Sequence, residues 1–201
     1  MEQKEKKVRD PNKMNVRDYI TVAIIVVLMF LVYAIVGTPI GMSGIGNLFI
    51  FGVCGIVWGT FYLLYLSKVN KKNAVLVFGL IWAVCQLVNF WMITVVIALG
   101  AVIAEVIWRK LDRKKFTTMM ICFTTQILFF FFGLSLPLMI MKDAYLSSIP
   151  EYASALYAEV FNYCMSPMFF AGIGVTIVGC IAGSFLGKLI LKKHFAKAGI
   201  I

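Results

Sequence analysis

The chain has 201 residues, of which 62% are hydrophobic and 14% charged, with a formal net charge of +10. A mean hydropathy of +0.94 excludes an ordinary soluble domain, whose folded surface would be too apolar for water. The reading is an all-α polytopic membrane protein, with the positive charge serving topology and lipid contact rather than nucleic acid.

All but one of the 19 Lys and Arg residues fall in four clusters: Lys4 to Arg17, Lys68 to Lys72, Arg109 to Lys115, and Lys188 to Lys197. Cationic loops resist translocation, so all four are placed on the cytoplasmic side. Each apolar stretch between clusters must then cross the membrane twice. This predicts six transmembrane helices with both termini inside. Residues 1–18 form a cytoplasmic tail, 19–191 the membrane domain, and 192–201 a second cytoplasmic tail.

Asp18 is placed to cap the first span, expected over Tyr19 to Val36. Gly37, Thr38, Pro39, Gly41, Ser43 and Gly44 read as an uncharged outer loop. The second span is expected over Ile45 to Leu66, where Gly55 and Gly59 form a GxxxG that lets another helix approach closely. Ala74 to Trp108 is long for one span and short for two, since one crossing takes about 20 residues. The flanking Lys71, Lys72, Arg109 and Lys110 decide for two short spans. Their turn is placed near Asn89, Phe90 and Trp91, where Asn caps and Trp favours the interface.

The fifth span is expected over Thr117 to Met141, kinked by Pro137 near the outer face. Lys142 to Tyr163 is the longest outer segment, and Ala153 to Val160 suits a short surface helix within it. Ser166 and Pro167 open the sixth span, which runs to about Leu191. Gly179, Gly183 and Gly187 recur every four residues along it, a stronger packing signal than a lone pair.

No catalytic constellation emerges, so the chain is not read as an enzyme. It has no GxxxxGK[ST] phosphate loop, and its only His, His194, lies in the tail. The five Cys are scattered singly, which indicates neither a disulfide framework nor a metal site, and no cofactor is called for. Glu105 is the one acid inside a span and sits four residues before Arg109, the favoured order for a helical ion pair.

Polar residues gather towards the outer ends, among them Asn47, Gln86, Asn89, Thr94, Gln126 and Ser135. They fit either helix-to-helix hydrogen bonding or a pocket under the outer loops. If a pocket, Asn89, Trp91, Lys142, Asp143, Tyr145 and Tyr152 are the candidate substrate-binding residues. Lys142 and Asp143 would orient a polar or charged ligand, unless they pair with each other or with Glu151. On this reading Asp143→Ala and Trp91→Ala weaken binding by at least about tenfold.

Two stretches carry a resemblance. LPLMIMKDAYLSSIPEYASAL, Leu136 to Leu156, and GKLILKKHFAKAGI, Gly187 to Ile200, resemble S components of bacterial energy-coupling-factor (ECF) transporters, in the subgroup labelled Trep_Strep or MptD-like. KMNVRDYITVAI, Lys13 to Ile24, is compatible with it. The resemblance implies a receptor in the bacterial plasma membrane that captures a vitamin-like micronutrient outside. It would deliver it with a transmembrane coupling protein and two cytoplasmic ATPases. S components dock on the coupling protein through small residues of the first span. Here Ala23 is followed four positions later by Val27, so the AxxxA pattern is incomplete. An intramembrane enzyme and a ligand-free assembly protein are the competing classes.

Overall fold

Long apolar stretches leave a backbone no hydrogen-bond partners except its own, and helices result. The computed structural model describes residues 12–192, and all regular structure among them is helical. The tails before and after these residues, His194 included, lie outside them. The helices are α1 (Val16–Val32), α2 (Thr38–Gly41), α3 (Gly44–Lys68), α4 (Ala74–Cys85), α5 (Trp91–Lys110), α6 (Phe116–Ile140), α7 (Lys142–Ser148), α8 (Glu151–Cys164) and α9 (Met168–Ile190). Five helical stretches are long and apolar enough to cross a membrane: Val16–Gly41, Gly44–Lys68, Trp91–Lys110, Phe116–Ile140 and Met168–Ile190.

The first stretch differs from the expectation at both ends. Asn15, not Asp18, is its N-cap: the Asn15 side chain accepts from the Asp18 N–H, and the Asp18 carboxylate accepts from the Asn15 N–H at 2.7 Å. This reciprocal capping box starts the helix one turn early. At the other end the expected loop is mostly helix. One wide π turn, Tyr33–Gly37, joins α1 to α2, with the Thr38 N–H reaching back to the Tyr33 carbonyl. Pro39 follows in the first turn of α2, where a missing N–H costs nothing. The actual turn is only Met42 and Ser43, and Ser43 Oγ caps α3 by accepting from the Gly46 N–H at 3.1 Å.

The run from Ala74 to Trp108 breaks where the sequence places it. A 3-10 turn, Gln86–Val88, ends α4, and α5 begins at Trp91. With about 1.5 Å rise per α-helical residue and about 2.0 Å per 3-10 residue, Ala74–Val88 reaches about 24 Å. A hydrocarbon core is about 30 Å thick, so this segment is shorter than a standard span. The outer segment after α6 is two short helices, α7 and α8, rather than one. At the start of α9, Ser166 Oγ accepts from the Met168 N–H at 3.2 Å.

The tightest packing is the seam between α3 and α9. A Cβ added to Gly179 would lie 2.0 Å from the Gly52 carbonyl oxygen, and one on Gly183 would lie 2.1 Å from that of Gly55. A Cβ on Gly59 would meet the Gly183 backbone at 2.3 Å. The two glycine series foreseen from spacing are therefore each other's partners, and the helices touch through backbone.

The described members of all four basic clusters meet at one end. Lys71 Nζ pairs with Asp18 Oδ2 at 2.6 Å. Asn70 Nδ2 donates to the Arg113 carbonyl at 3.2 Å, and Trp108 Nε1 to that of Lys71 at 2.9 Å. Lys188 Nζ lies 4.8 Å from the Phe116 ring centroid. Glu105 belongs to the same network. It pairs with Arg109 Nε at 2.7 Å, as the spacing indicates, and it also does something spacing does not show. Its carboxylate accepts from the backbone N–H groups of Asn73, at 2.8 Å, and Leu76, at 3.1 Å. Asn73 has φ 68° and does not cap α4 with its own side chain. Glu105, from the neighbouring helix, satisfies those N–H groups and places negative charge at the positive end of α4.

Candidate functional site

The end of the bundle away from the basic clusters is not closed by polar ties. A cavity of about 670 Å³ lies there, in the usual range for small-molecule sites. The turn Gln86 to Asn89 after α4 forms part of its wall, with residues of α1, α3, α5 and α6 around it. Helices α7 and α8 contribute Tyr145 and Tyr157, and Ile149 joins them from between the two helices.

Rings dominate the lining. Phe30 of α1 stacks on Trp82 of α4 with centroids 4.0 Å apart and planes 19° apart. Phe130 lies 5.0 Å from the same indole. Tyr145 and Tyr157 meet edge to face at 5.4 Å, and Phe90 packs on Tyr145 at the same distance. Tyr145 is only 2% exposed, and burial, followed by the neighbouring Tyr157, pushes its phenol well above the ordinary range. It is therefore neutral at physiological pH. Exposed Val27 and Leu31 of α1 and Val88 after α4 border the cavity and form an apolar mouth.

Polar groups are few. Gln86 and Asn89 line the cavity, and Asn89 Nδ2 donates to Gln86 Oε1. Trp82 is 3% exposed, yet its indole N–H has no acceptor. The contrast with its neighbours is informative. Trp58 Nε1 donates to the Met29 carbonyl at 2.9 Å, and Trp108 Nε1 to that of Lys71. Other buried polar atoms without partners occur, such as the Tyr62 hydroxyl, but among the described residues only that of Trp82 belongs to the cavity wall. A buried orphan donor costs about 1–3 kcal/mol.

Of the six residues selected from sequence, the structure brings Asn89 and Tyr145 into this lining. The other four lie outside it. Lys142 Nζ sits 4.1 Å from the Phe161 ring centroid, rather than pairing with Asp143 or Glu151. Asp143 is exposed, Tyr152 is 88% exposed, and Trp91 is 55% exposed beside Phe90. Lys142 and Asp143 lie on the short α7, where Tyr145 is the buried residue, Tyr152 lies in the first turn of α8, and Trp91 is the first residue of α5. Ala23 and Val27 both lie on the exposed face of α1, and Val27 also reaches the mouth.

The polar set divides between its two readings. Thr94 Oγ1 donates to the Ala83 carbonyl at 3.0 Å, and Ser135 Oγ to that of Phe131 at 2.8 Å. Asn47 Nδ2 bonds the Gly41 carbonyl at 3.4 Å. Gln126 Nε2 donates at 2.7 Å to the carbonyl of Val75, the second residue of α4, and so lies towards the basic end. These groups serve the fold, and Gln86 and Asn89 remain for a ligand. Sequence reasoning missed Phe30, Tyr33, Trp82 and Tyr157. One signal was available: Trp82, Gln86 and Asn89 are spaced i, i+4, i+7, on one helical face.

With the geometry in place, the chain can be set beside known proteins. A family model described as a hypothetical bacterial integral membrane protein (Trep_Strep) matches residues 16–197. The chain belongs to the Trep_Strep family. The match takes in every helix described above and all of the cavity lining. It agrees with the several apolar helices of spanning length in making this Trep_Strep protein a multi-pass membrane protein. No curated protein and no solved structure matches the chain.

Proposed function

We propose that this Trep_Strep protein is the substrate-capturing S component of an ECF-type transporter in the bacterial plasma membrane. The observation that carries the reading is the aromatic cavity at the end opposite the basic clusters. With the basic end cytoplasmic, the cavity opens on the outer side, where a receptor meets its substrate. α4 then counts as a sixth, short crossing, which keeps Lys71 and Arg109 on the same side. The chain contains no phosphate loop, so energy for uptake comes from a coupling protein and two ATPases. The exposed face of α1 around Ala23 and Val27 is the docking face for the coupling protein. It presents bulkier side chains than an AxxxA face does.

The test has two arms. Purified protein is subjected to mass spectrometry to identify the small molecule it retains. Uptake of that compound is then measured in cells with and without the ATPases. Retention of one compound and ATPase-dependent uptake are expected. Uptake that is unchanged without the ATPases would replace this reading with that of an independent facilitator.

A further inference from the structure

The chemistry of the lining narrows the ligand class, on the premise that the cavity is the substrate site of the receptor proposed above. We propose that its occupant is an uncharged compound built on a planar ring with an amide-like edge. Three observations lead there.

First, among the described residues no Asp, Glu, Lys, Arg or His lines the cavity. Of the charged residues on α7, Lys142 rests on Phe161, and Asp143 is exposed. A charged ligand would lose its hydration shell here and find no counter-charge, which is strongly unfavourable. An uncharged ligand avoids that loss.

Second, the walls are flat. The Phe30 and Trp82 pair is stacked at 4.0 Å, with Phe130 against the same indole, and Tyr145 and Tyr157 add their rings to the lining from α7 and α8. Phe30 and Trp82 cover each other's facing surfaces, so a ligand meets the rest of this aromatic wall rather than slotting between the two rings, and such a wall favours a planar, polarisable partner. The apolar mouth at Val27, Leu31 and Val88 leaves room for an aliphatic substituent.

Third, the amide pair Gln86 and Asn89 defines a polar edge. Asn89 Nδ2 is committed to Gln86 Oε1, which leaves Gln86 Nε2 as a donor and Asn89 Oδ1 as an acceptor. A ring carrying C=O beside N–H would complement these groups, since a carbonyl has two lone pairs and a lactam N–H one proton.

Cys85 supplies the readout. It borders the cavity and is exposed, whereas Cys54, Cys122, Cys164 and Cys180 are buried. Burial also pushes the Cys164 thiol up to about 11, with a smaller opposing contribution from Ser135, so that thiol is protonated and slow at neutral pH. The full chain in lipid nanodiscs is alkylated with N-ethylmaleimide, and modification of Cys85 is followed by mass spectrometry. Two probes are compared at equal concentration: 2-quinolone, a neutral bicyclic lactam, and quinoline-2-carboxylate, its anionic counterpart. We expect 2-quinolone to slow Cys85 alkylation by about fivefold or more, and the carboxylate by less than about twofold. Gln86→Leu removes the amide donor and leaves an apolar side chain of similar size, and is expected to raise the protecting concentration of 2-quinolone by about fivefold. Equal or better protection by the carboxylate would overturn the ligand class, as would protection by neither probe. Both outcomes leave the ATPase-dependent uptake test of the receptor reading standing on its own.

Discussion

Two helix pairs in this molecule meet in opposite ways. Helices α3 and α9 touch through glycine backbone, with no space for a single added methyl at Gly179 or Gly183. Helices α1 and α4 touch through rings, Phe30 on Trp82, and beside that stack lies the cavity. Both interfaces are apolar, so hydrophobicity does not distinguish them. Side-chain volume does. Small residues let two helices close on each other along their length, while large rings hold two helices apart and contact only locally. The first arrangement gives a rigid seam, and the second gives a site.

The largest expected effect breaks the seam. Gly183→Leu drives a side chain into the α3 backbone, which cannot rotate away, so its cost should exceed the about 1–3 kcal/mol typical of overpacking. Loss of the monodisperse peak on size exclusion is the expected outcome. Gly174→Leu is the matched control: nothing lies within 4 Å of its added Cβ, and it should stay within about 0.5 kcal/mol of the parent. Equal damage from both would show that the α3 and α9 contact is not the cause.

A smaller effect is expected from loosening α4 at its basic end. Glu105→Gln removes the charge that caps Asn73 and Leu76 and pairs with Arg109. A stability loss of about 1.5–3 kcal/mol follows for charge-assisted hydrogen bonds, read as a lower thermal midpoint. Arg109 is half exposed, so Arg109→Gln should cost less than Glu105→Gln. The reverse order would mean that the ion pair, and not the cap, holds α4.

Within the ring-lined side, Asn89→Leu keeps volume and removes the amide edge. Ligand affinity should fall by about tenfold, some 1.4 kcal/mol, with the thermal midpoint of the empty protein little changed. Direct titration with the retained compound measures it. The smallest effects are expected at Asp143→Ala and Trp91→Ala, which lie outside the lining. Each should alter affinity by less than about twofold, within the about 0.5 kcal/mol of an ordinary surface change. The sequence reading ranks these two first. A tenfold loss at Asp143 would restore that ranking and would mean that α7 moves its charge inward when ligand is bound.

That reversal shows where the sequence stops being legible. Asp143 and Trp91 stand out because charge and indole are rare in apolar segments, but rarity carries no direction. On a short helix such as α7 one face packs inward, and there the inward residue is Tyr145. Pro39 illustrates a second limit. Its cluster of turn residues describes a loop in water. In an apolar setting a loop would leave backbone groups unpaired, so the chain keeps its hydrogen bonds through one π turn instead.

The amino-acid sequence by itself determined the class, the basic end, the break at Asn89, the Glu105 and Arg109 pair and the glycine faces. These depend on composition and on spacing within one helix, and spacing is a local property. Only the tertiary structure decided that the two glycine series meet, that Glu105 caps a neighbouring helix, and that Phe30, Trp82, Tyr145 and Tyr157 enclose a cavity while leaving one indole N–H without an acceptor. Those facts depend on which faces meet across distant parts of the chain. Meeting is settled by the fit of volumes between helices, which no single helix encodes.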